Sequence, residues 1–130
     1  MADVKLNFAH VCENAFLSQD GKINIIGDFD SITIKRLETG GILFFPFFIV
    51  TNFSVDANIE YKQRVSLIDS ATGNEILSKE IDQKTSGVKI GLMMRVDAIF
   101  PSAGKYKVRI ELNDFQHEVD ILINEQLDEK

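Results

Sequence analysis

Residues 100–112 read Phe-Pro-Ser-Ala-Gly-Lys-Tyr-Lys-Val-Arg-Ile-Glu-Leu, a Pro/Gly turn followed by a strictly alternating segment. The apolar side chains from Tyr106 to Leu112 fall on one face, and the charged side chains from Lys105 to Glu111 fall on the other. A period of two with one polar face is typical of an antiparallel sheet that packs on one side and meets water on the other. The segment therefore predicts an antiparallel β-domain.

Three further segments repeat this alternation, and turns rich in Gly, Asn and Asp separate them. Their apolar faces are, in chain order, Ile59, Tyr61, Val65 and Leu67; Val88, Ile90, Leu92, Met94 and Val96; and Phe115, His117, Val119, Ile121 and Ile123. Leu122 interrupts the polar face of the last segment. We predict an all-β fold, a single antiparallel β-sandwich of about 7–9 strands, over residues 1–124, with a short acidic tail at 125–130.

The N-terminal segment fits two templates. Helical spacing is met by Phe8, Val11, Cys12, Ala15 and Phe16. Strand alternation is met by Leu6, Phe8, His10 and Cys12, with a break or bulge at Asn14. We favour the strand, because Asp20-Gly21 is typical of a hairpin turn that would pair it with residues 22–26.

Composition limits the classes of function. The 130 residues suit one domain, and a net charge of −6 disfavours binding to nucleic acid or to anionic membranes. The first residues lack the apolar stretch of a secretory signal, and the longest apolar run, 42–50, is too short to span a membrane. The single cysteine cannot form an internal disulfide. We expect a soluble cytoplasmic protein.

The apolar run at 42–50 contains four phenylalanines around Pro46, namely Phe44, Phe45, Phe47 and Phe48. The interpretation we favour is a central strand buried on both faces. The alternative is that alternate phenylalanines protrude and form a subunit contact, as exposed apolar patches often do. These four residues are therefore the candidate interface residues of the chain.

Asp20, Asp28 and Asp30 are candidate metal ligands, because alternating aspartates at a sheet edge could bind calcium, with Asp56 near in space. The alternative reading is that these carboxylates are solvated at turns, since their spacing matches no known calcium loop. We favour that reading and predict no metal and no cofactor.

His10 and Cys12 lie two residues apart, as a catalytic pair could. Such a pair needs an orienting group and an activated thiolate, so we expect both side chains, and also His117, to face the core. Tyr106 is expected to anchor the core, with its hydroxyl bonded to the backbone as in a tyrosine corner. Nucleophile elbows, phosphate-binding loops and dinucleotide fingerprints are absent from the sequence.

Two stretches resemble an uncharacterised family of small bacterial β-sandwich domains. One comprises Phe8-Ala-His-Val-Cys12 and Gly21-Lys-Ile-Asn-Ile-Ile-Gly-Asp-Phe-Asp-Ser-Ile32. The other comprises Phe100-Pro101 and Gly104-Lys-Tyr106 with the alternating residues behind it. The resemblance implies an immunoglobulin-like sandwich and no assigned catalytic residues, because that family has no established activity.

Three hypotheses about function follow. The first is a non-enzymatic protein-interaction or structural β-sandwich that contacts an unidentified protein or a second copy of itself through a sheet edge or the apolar run. The second is a sandwich that binds a small ligand or a divalent metal at the end carrying Asp20, Asp28 and Asp30. The third is an enzyme whose paired groups come from distant strands.

Overall fold

The computed structural model describes residues 4–20, 22–35, 43–56, 59–84 and 88–126. These residues form nine β-strands and no helix: β1 (Lys5–Leu17), β2 (Ile23–Asp28), β3 (Ser31–Lys35), β4 (Leu43–Ser54), β5 (Glu60–Asp69), β6 (Glu75–Lys84), β7 (Lys89–Phe100), β8 (Gly104–Leu112) and β9 (Phe115–Gln126). The described ranges accordingly hold no helix long and apolar enough to cross a membrane. The predicted all-β class is confirmed.

The strands form two sheets. One has four strands in the order β2-β1-β4-β7, and the other has five in the order β3-β9-β8-β5-β6. Every pairing is antiparallel except that of β3 with β9, which is parallel. Residues 43–50 of the apolar run lie in β4, which is a central strand between β1 and β7, as predicted. Burial on both faces, also predicted, fails at Phe44, which is 36% exposed. Ile42 lies outside the described residues.

Alternating apolar side chains fill the space between the sheets. The predicted inner face of β8, from Tyr106 to Leu112, is almost completely buried. Complete burial of one such side chain contributes roughly 1.5–3 kcal/mol. The other inner-face residues buried to the same degree include Val11, Phe47, Ile49, Phe53, Tyr61, Val65, Leu67, Val96, Phe100, Ile121 and Ile123. Val88 was predicted to join them but is 62% exposed, because it precedes the first residue of β7.

β1 is a strand, so the strand alternative for the N-terminal segment is confirmed. A register shift between Leu6 and Phe8 separates Leu6 from Phe8, His10 and Cys12, which were predicted to share one face of this strand. Leu6 packs against the main core with Ala9 and Val11, whereas Phe8 and Cys12 belong to a second apolar cluster. One extra residue in a strand moves every later side chain to the opposite face.

Near Asn14, where a break or bulge was expected, β1 continues and keeps its register with β2, but its side-chain alternation changes. Cys12 and Ala15 lie in the same apolar cluster although they are three residues apart. Regular alternation would place them on opposite faces, so the alternation changes between them. Beyond this point β1 pairs only with β2, from Asn14 opposite Ile26 to Leu17 opposite Ile23. Gly21, within the predicted hairpin turn, lies outside the described residues.

The C-terminal boundary differs from the prediction. β9 continues to Gln126, two residues into the segment expected to be a tail. Glu125 and Gln126 pair with Ile34 and Lys35 of β3. This extension of β9 depends on backbone hydrogen bonds to β3, which is distant in the sequence. The acidic composition of the segment could not predict such pairing. Residues 127–130 of the predicted tail lie outside the described part of the chain.

Candidate interaction surface

The outer face of the five-stranded sheet is charged. Arg109 lies 2.9 Å from Glu118, and Lys107 lies 3.9 Å from the same carboxylate. Arg64 contacts Glu75 at 2.7 Å. These pairs join neighbouring strands, and ion pairs at such exposed positions contribute little to stability. Their main consequence is a face that remains in contact with water.

The outer face of the four-stranded sheet is apolar over its middle. Its side chains come from β1, β4, β7 and the β1–β2 hairpin, and we call them the outer apolar face: Phe8, Cys12, Ala15, Leu17, Ile23, Ile25, Phe44, Phe48, Val50, Met93 and Ile99. Cys12, Ala15 and Val50 are buried beneath their neighbours. Phe44 and Ile99 are directly opposite one another and are 36% and 53% exposed. An exposed apolar sheet face of this kind is a candidate contact surface.

The four candidate phenylalanines are divided between the two sides of β4. Phe45 and Phe47 face the core, where their rings stack and both meet the edge or face of Phe29. Phe47 is completely buried and Phe45 is partly buried against the core, so neither ring lies on the outer face of the sheet. Phe44 and Phe48 lie on the outer apolar face. Alternate phenylalanines therefore do point outward, which follows from the uninterrupted register between β4 and β7.

The sequence interpretation missed Met93 and Ile99 as members of this face. Both occupy positions on β7 that alternate with the predicted core residues, among Lys89, Arg95 and Asp97. The sequence signal that could have identified them is the presence of two apolar residues at positions of β7 that are otherwise polar. Their relation to Val50 and Phe44 depends on the pairing of β7 with β4, which connects distant parts of the chain.

His10 does not face the core, contrary to the prediction. It is opposite Val50 on the outer face, and its Nδ1 lies 3.1 Å from a carboxylate oxygen of Asp28. The side chain is about one-third exposed. The register shift after Leu6 is the reason, because it turns this part of β1 outward. His117, in contrast, is half-buried opposite the buried Ile110, on the inner face where it was predicted.

Cys12 is buried, as predicted, but in the outer cluster. Its thiol donates a weak 3.7 Å hydrogen bond to the carbonyl of Phe48. Burial raises the pKa of this thiol, and the negative charge of Asp28 raises it further. A raised pKa reduces the thiolate fraction at neutral pH, which is the opposite of what a nucleophilic cysteine needs.

The three candidate aspartates have separate surroundings. Asp20 accepts a hydrogen bond from the Ser18 hydroxyl and pairs with Lys22 at 3.5 Å. The Ser18 contact is the main cause that lowers the pKa of Asp20. Asp28 pairs with His10, and Asp30 borders an open groove of about 510 Å³. Among the described residues, no three His, Cys, Asp or Glu side chains are grouped as a metal site requires.

Comparison with known proteins gives one family. Residues 7–124 match a family of unknown function, DUF6941. No curated protein matches the chain. The expected membership in a family without an established activity is thereby confirmed.

Proposed function

The chain belongs to the DUF6941 family of unknown function, and we propose that it is a non-enzymatic, cytoplasmic protein-interaction domain that acts through its outer apolar face. The observation that supports this most strongly is the difference between the two outer faces. The outer face of the five-stranded sheet carries ion pairs that join its strands. The outer face of the four-stranded sheet also carries Arg95–Asp97 and His10–Asp28, but it adds the exposed Phe44 and Ile99 and the half-buried side chains around them. Exposed apolar side chains grouped on one sheet face support a role in contacting a partner.

We also propose that the fold is an immunoglobulin-like sandwich of the kind expected for the small bacterial domains that the sequence resembles. It is supported by the division into a four-stranded and a five-stranded sheet with crossovers between them. Further support comes from Tyr106 near the start of β8, whose hydroxyl donates to the Ser102 carbonyl at 2.5 Å. This contact has the form of the tyrosine corner found in such sandwiches.

The chemistry of the candidate catalytic pair supports the non-enzymatic part. His10 contacts Asp28, while the Cys12 thiol is bonded to a backbone carbonyl and has a raised pKa. A buried cysteine that forms no disulfide is also compatible with a reducing compartment. Cys12 therefore supports the cytoplasmic part of the proposal.

Phe44→Glu tests the proposed surface. A carboxylate at this position would lie beside Ile99 and would have to lose water when the face is covered. We expect light scattering to show concentration-dependent association of the unaltered chain. The variant should associate roughly tenfold less strongly or weaker still, because burying an unpaired charge costs several kcal/mol.

Leu122→Glu is the matched control. Leu122 is 38% exposed, close to the 36% of Phe44, but lies on the outer face of the five-stranded sheet. This variant should associate like the unaltered chain. Equal behaviour of the two variants would contradict the proposed surface.

A further inference from the structure

The edge formed by β7 is long and regular. All twelve residues of this strand pair with β4, from Lys89 opposite Ser54 to Phe100 opposite Leu43, without a register shift. Among the described residues, no strand pairs with the other side of β7. Edge strands are usually short, bulged, charged or interrupted by proline, because unpaired backbone groups attract another strand. β7 is long and has neither a bulge nor a proline, and its charges, at Lys89, Arg95 and Asp97, are of both signs.

Pairing of β7 with the same strand of a second copy is restricted by its geometry. In an antiparallel pair, side chains directly opposite one another lie on the same face. When a twofold axis relates two identical strands, it must therefore pass between two copies of the same residue, which lie directly opposite each other. It cannot pass between two copies of the same peptide bond. The outward-facing residues Lys89, Gly91, Met93, Arg95 and Asp97 must consequently oppose one another.

The charges on β7 distinguish among these registers. With Met93 opposite Met93, both copies place Lys89 opposite Asp97, and Gly91 leaves room for Arg95. Centring the pair on Leu92 sets Lys89 against Arg95. Centring it on Met94 sets Lys89 against Ile99 and Arg95 against Met93, so that no opposite charges meet. Centring it on Arg95 sets that residue against itself. The register about Val96 pairs Arg95 with Asp97 but uses only residues 92–100.

We propose that β7 pairs with β7 of a second copy of this chain in the register centred on Met93. The two four-stranded sheets then become one sheet of eight strands. Asp97, which already contacts Arg95 at 3.0 Å in its own strand, gains Lys89 of the second copy. This inference deepens the proposed function, on which it rests, because the two outer apolar faces join into one continuous surface.

A charge exchange tests the pairing. Lys89→Glu sets a carboxylate against Asp97 of the second copy, and Asp97→Lys sets an ammonium group against Lys89. Each single variant should weaken the dimer by about tenfold, since like charges directly opposite are destabilising at both ends of the pair. The double variant K89E/D97K restores opposite charges and should recover the dimer. Sedimentation velocity over a range of concentrations measures all four proteins.

Cysteine cross-linking tests the register itself. Opposed Cβ atoms are about 4.5–5.5 Å apart, so Met93→Cys should give a disulfide-linked dimer after a small adjustment. Arg95→Cys is the control, because the two introduced sulfurs would be about 13 Å apart along the strands. Native Cys12 is completely buried and should not compete.

Four results would overturn this inference. The first three are a monomer at every concentration, a dimer unaffected by both single charge variants, and equal cross-linking of M93C and R95C. Rescue that fails while D97K alone weakens the dimer would favour the register about Val96 and would also overturn it. Phe44→Glu tests the outer apolar face and leaves β7 unchanged. Failure of the edge pairing can therefore be distinguished from failure of the proposed function.

Discussion

Gln63 and Thr51 form a polar contact in the middle of the apolar core. The Gln63 Nε2 group donates to the Thr51 hydroxyl at 3.0 Å, and both residues are completely buried. The contact joins β5 of one sheet to β4 of the other. Within the described part of the chain, the Gln63 Oε1 atom has no hydrogen-bond partner. An unpaired buried acceptor has a desolvation cost, so this pair is a specific point at which stability can be changed.

Thr51→Val should lower the free energy of unfolding by about 1–3 kcal/mol, because it leaves the Gln63 amide without its acceptor. Adding Gln63→Met removes both polar partners, and the double variant should recover most of that loss. Urea denaturation of the two single variants and the double variant measures the coupling. Simple addition of the two single effects would contradict the assigned contact.

At the scale of the element, the β1–β2 hairpin depends on a backbone position that only glycine suits. Gly27 has a φ of +71°, in the left-handed region. A Cβ atom at this position would lie 2.6 Å from Oε2 and 2.9 Å from Cγ of Glu13. The hairpin carries Ile23 and Ile25, which belong to the outer apolar face. The backbone conformation of β2 at Gly27 therefore affects how these two side chains are placed on that face.

Gly27→Ala should destabilise the domain by about 1–2 kcal/mol, the cost of a left-handed residue with a Cβ atom. Gly91→Ala in β7 is the control, because its nearest neighbour, Nδ2 of Asn52, would lie at an ordinary 3.8 Å from the new Cβ. That substitution should leave stability unchanged or raise it, since glycine weakens a strand interior. Thermal unfolding at low protein concentration compares the two, and a larger loss for Gly91→Ala would refute the explanation.

At the scale of the whole molecule, net charge opposes the association that the outer apolar face favours. The chain carries −6 at pH 7 and has an isoelectric point near 4.8. Repulsion between copies is therefore strong at neutral pH and decreases as the pH falls towards that value. Ion pairs such as Arg109–Glu118 keep the opposite face hydrated at neutral pH.

Light scattering should increase as the pH is lowered from 7 towards 4.8, because carboxylates become protonated and the net negative charge falls. The double variant F44S/I99S carries the same net charge but lacks two exposed apolar side chains of the outer face. It should scatter less than the unaltered chain at each pH. Identical curves would indicate that charge alone controls association.

Local periodicity in the sequence determined most of the strands and the inner faces of β5, β8 and β9. It succeeded there because polar residues occupy the solvated positions, as Lys107 and Arg109 do between buried residues of β8. The alternation also predicted an irregularity near Asn14, where the side-chain alternation changes. The comparison with a tyrosine corner predicted the hydroxyl contact of Tyr106.

Tertiary structure alone decided the sides of β1 and β4. A register shift after Leu6 moved His10 outward, and pairing with β7 placed Phe44 beside Ile99. When both faces of a strand are apolar, alternation carries no information about which face meets the core. That choice follows from contacts between strands far apart in the chain, because strand pairing determines which side of β4 the second sheet covers.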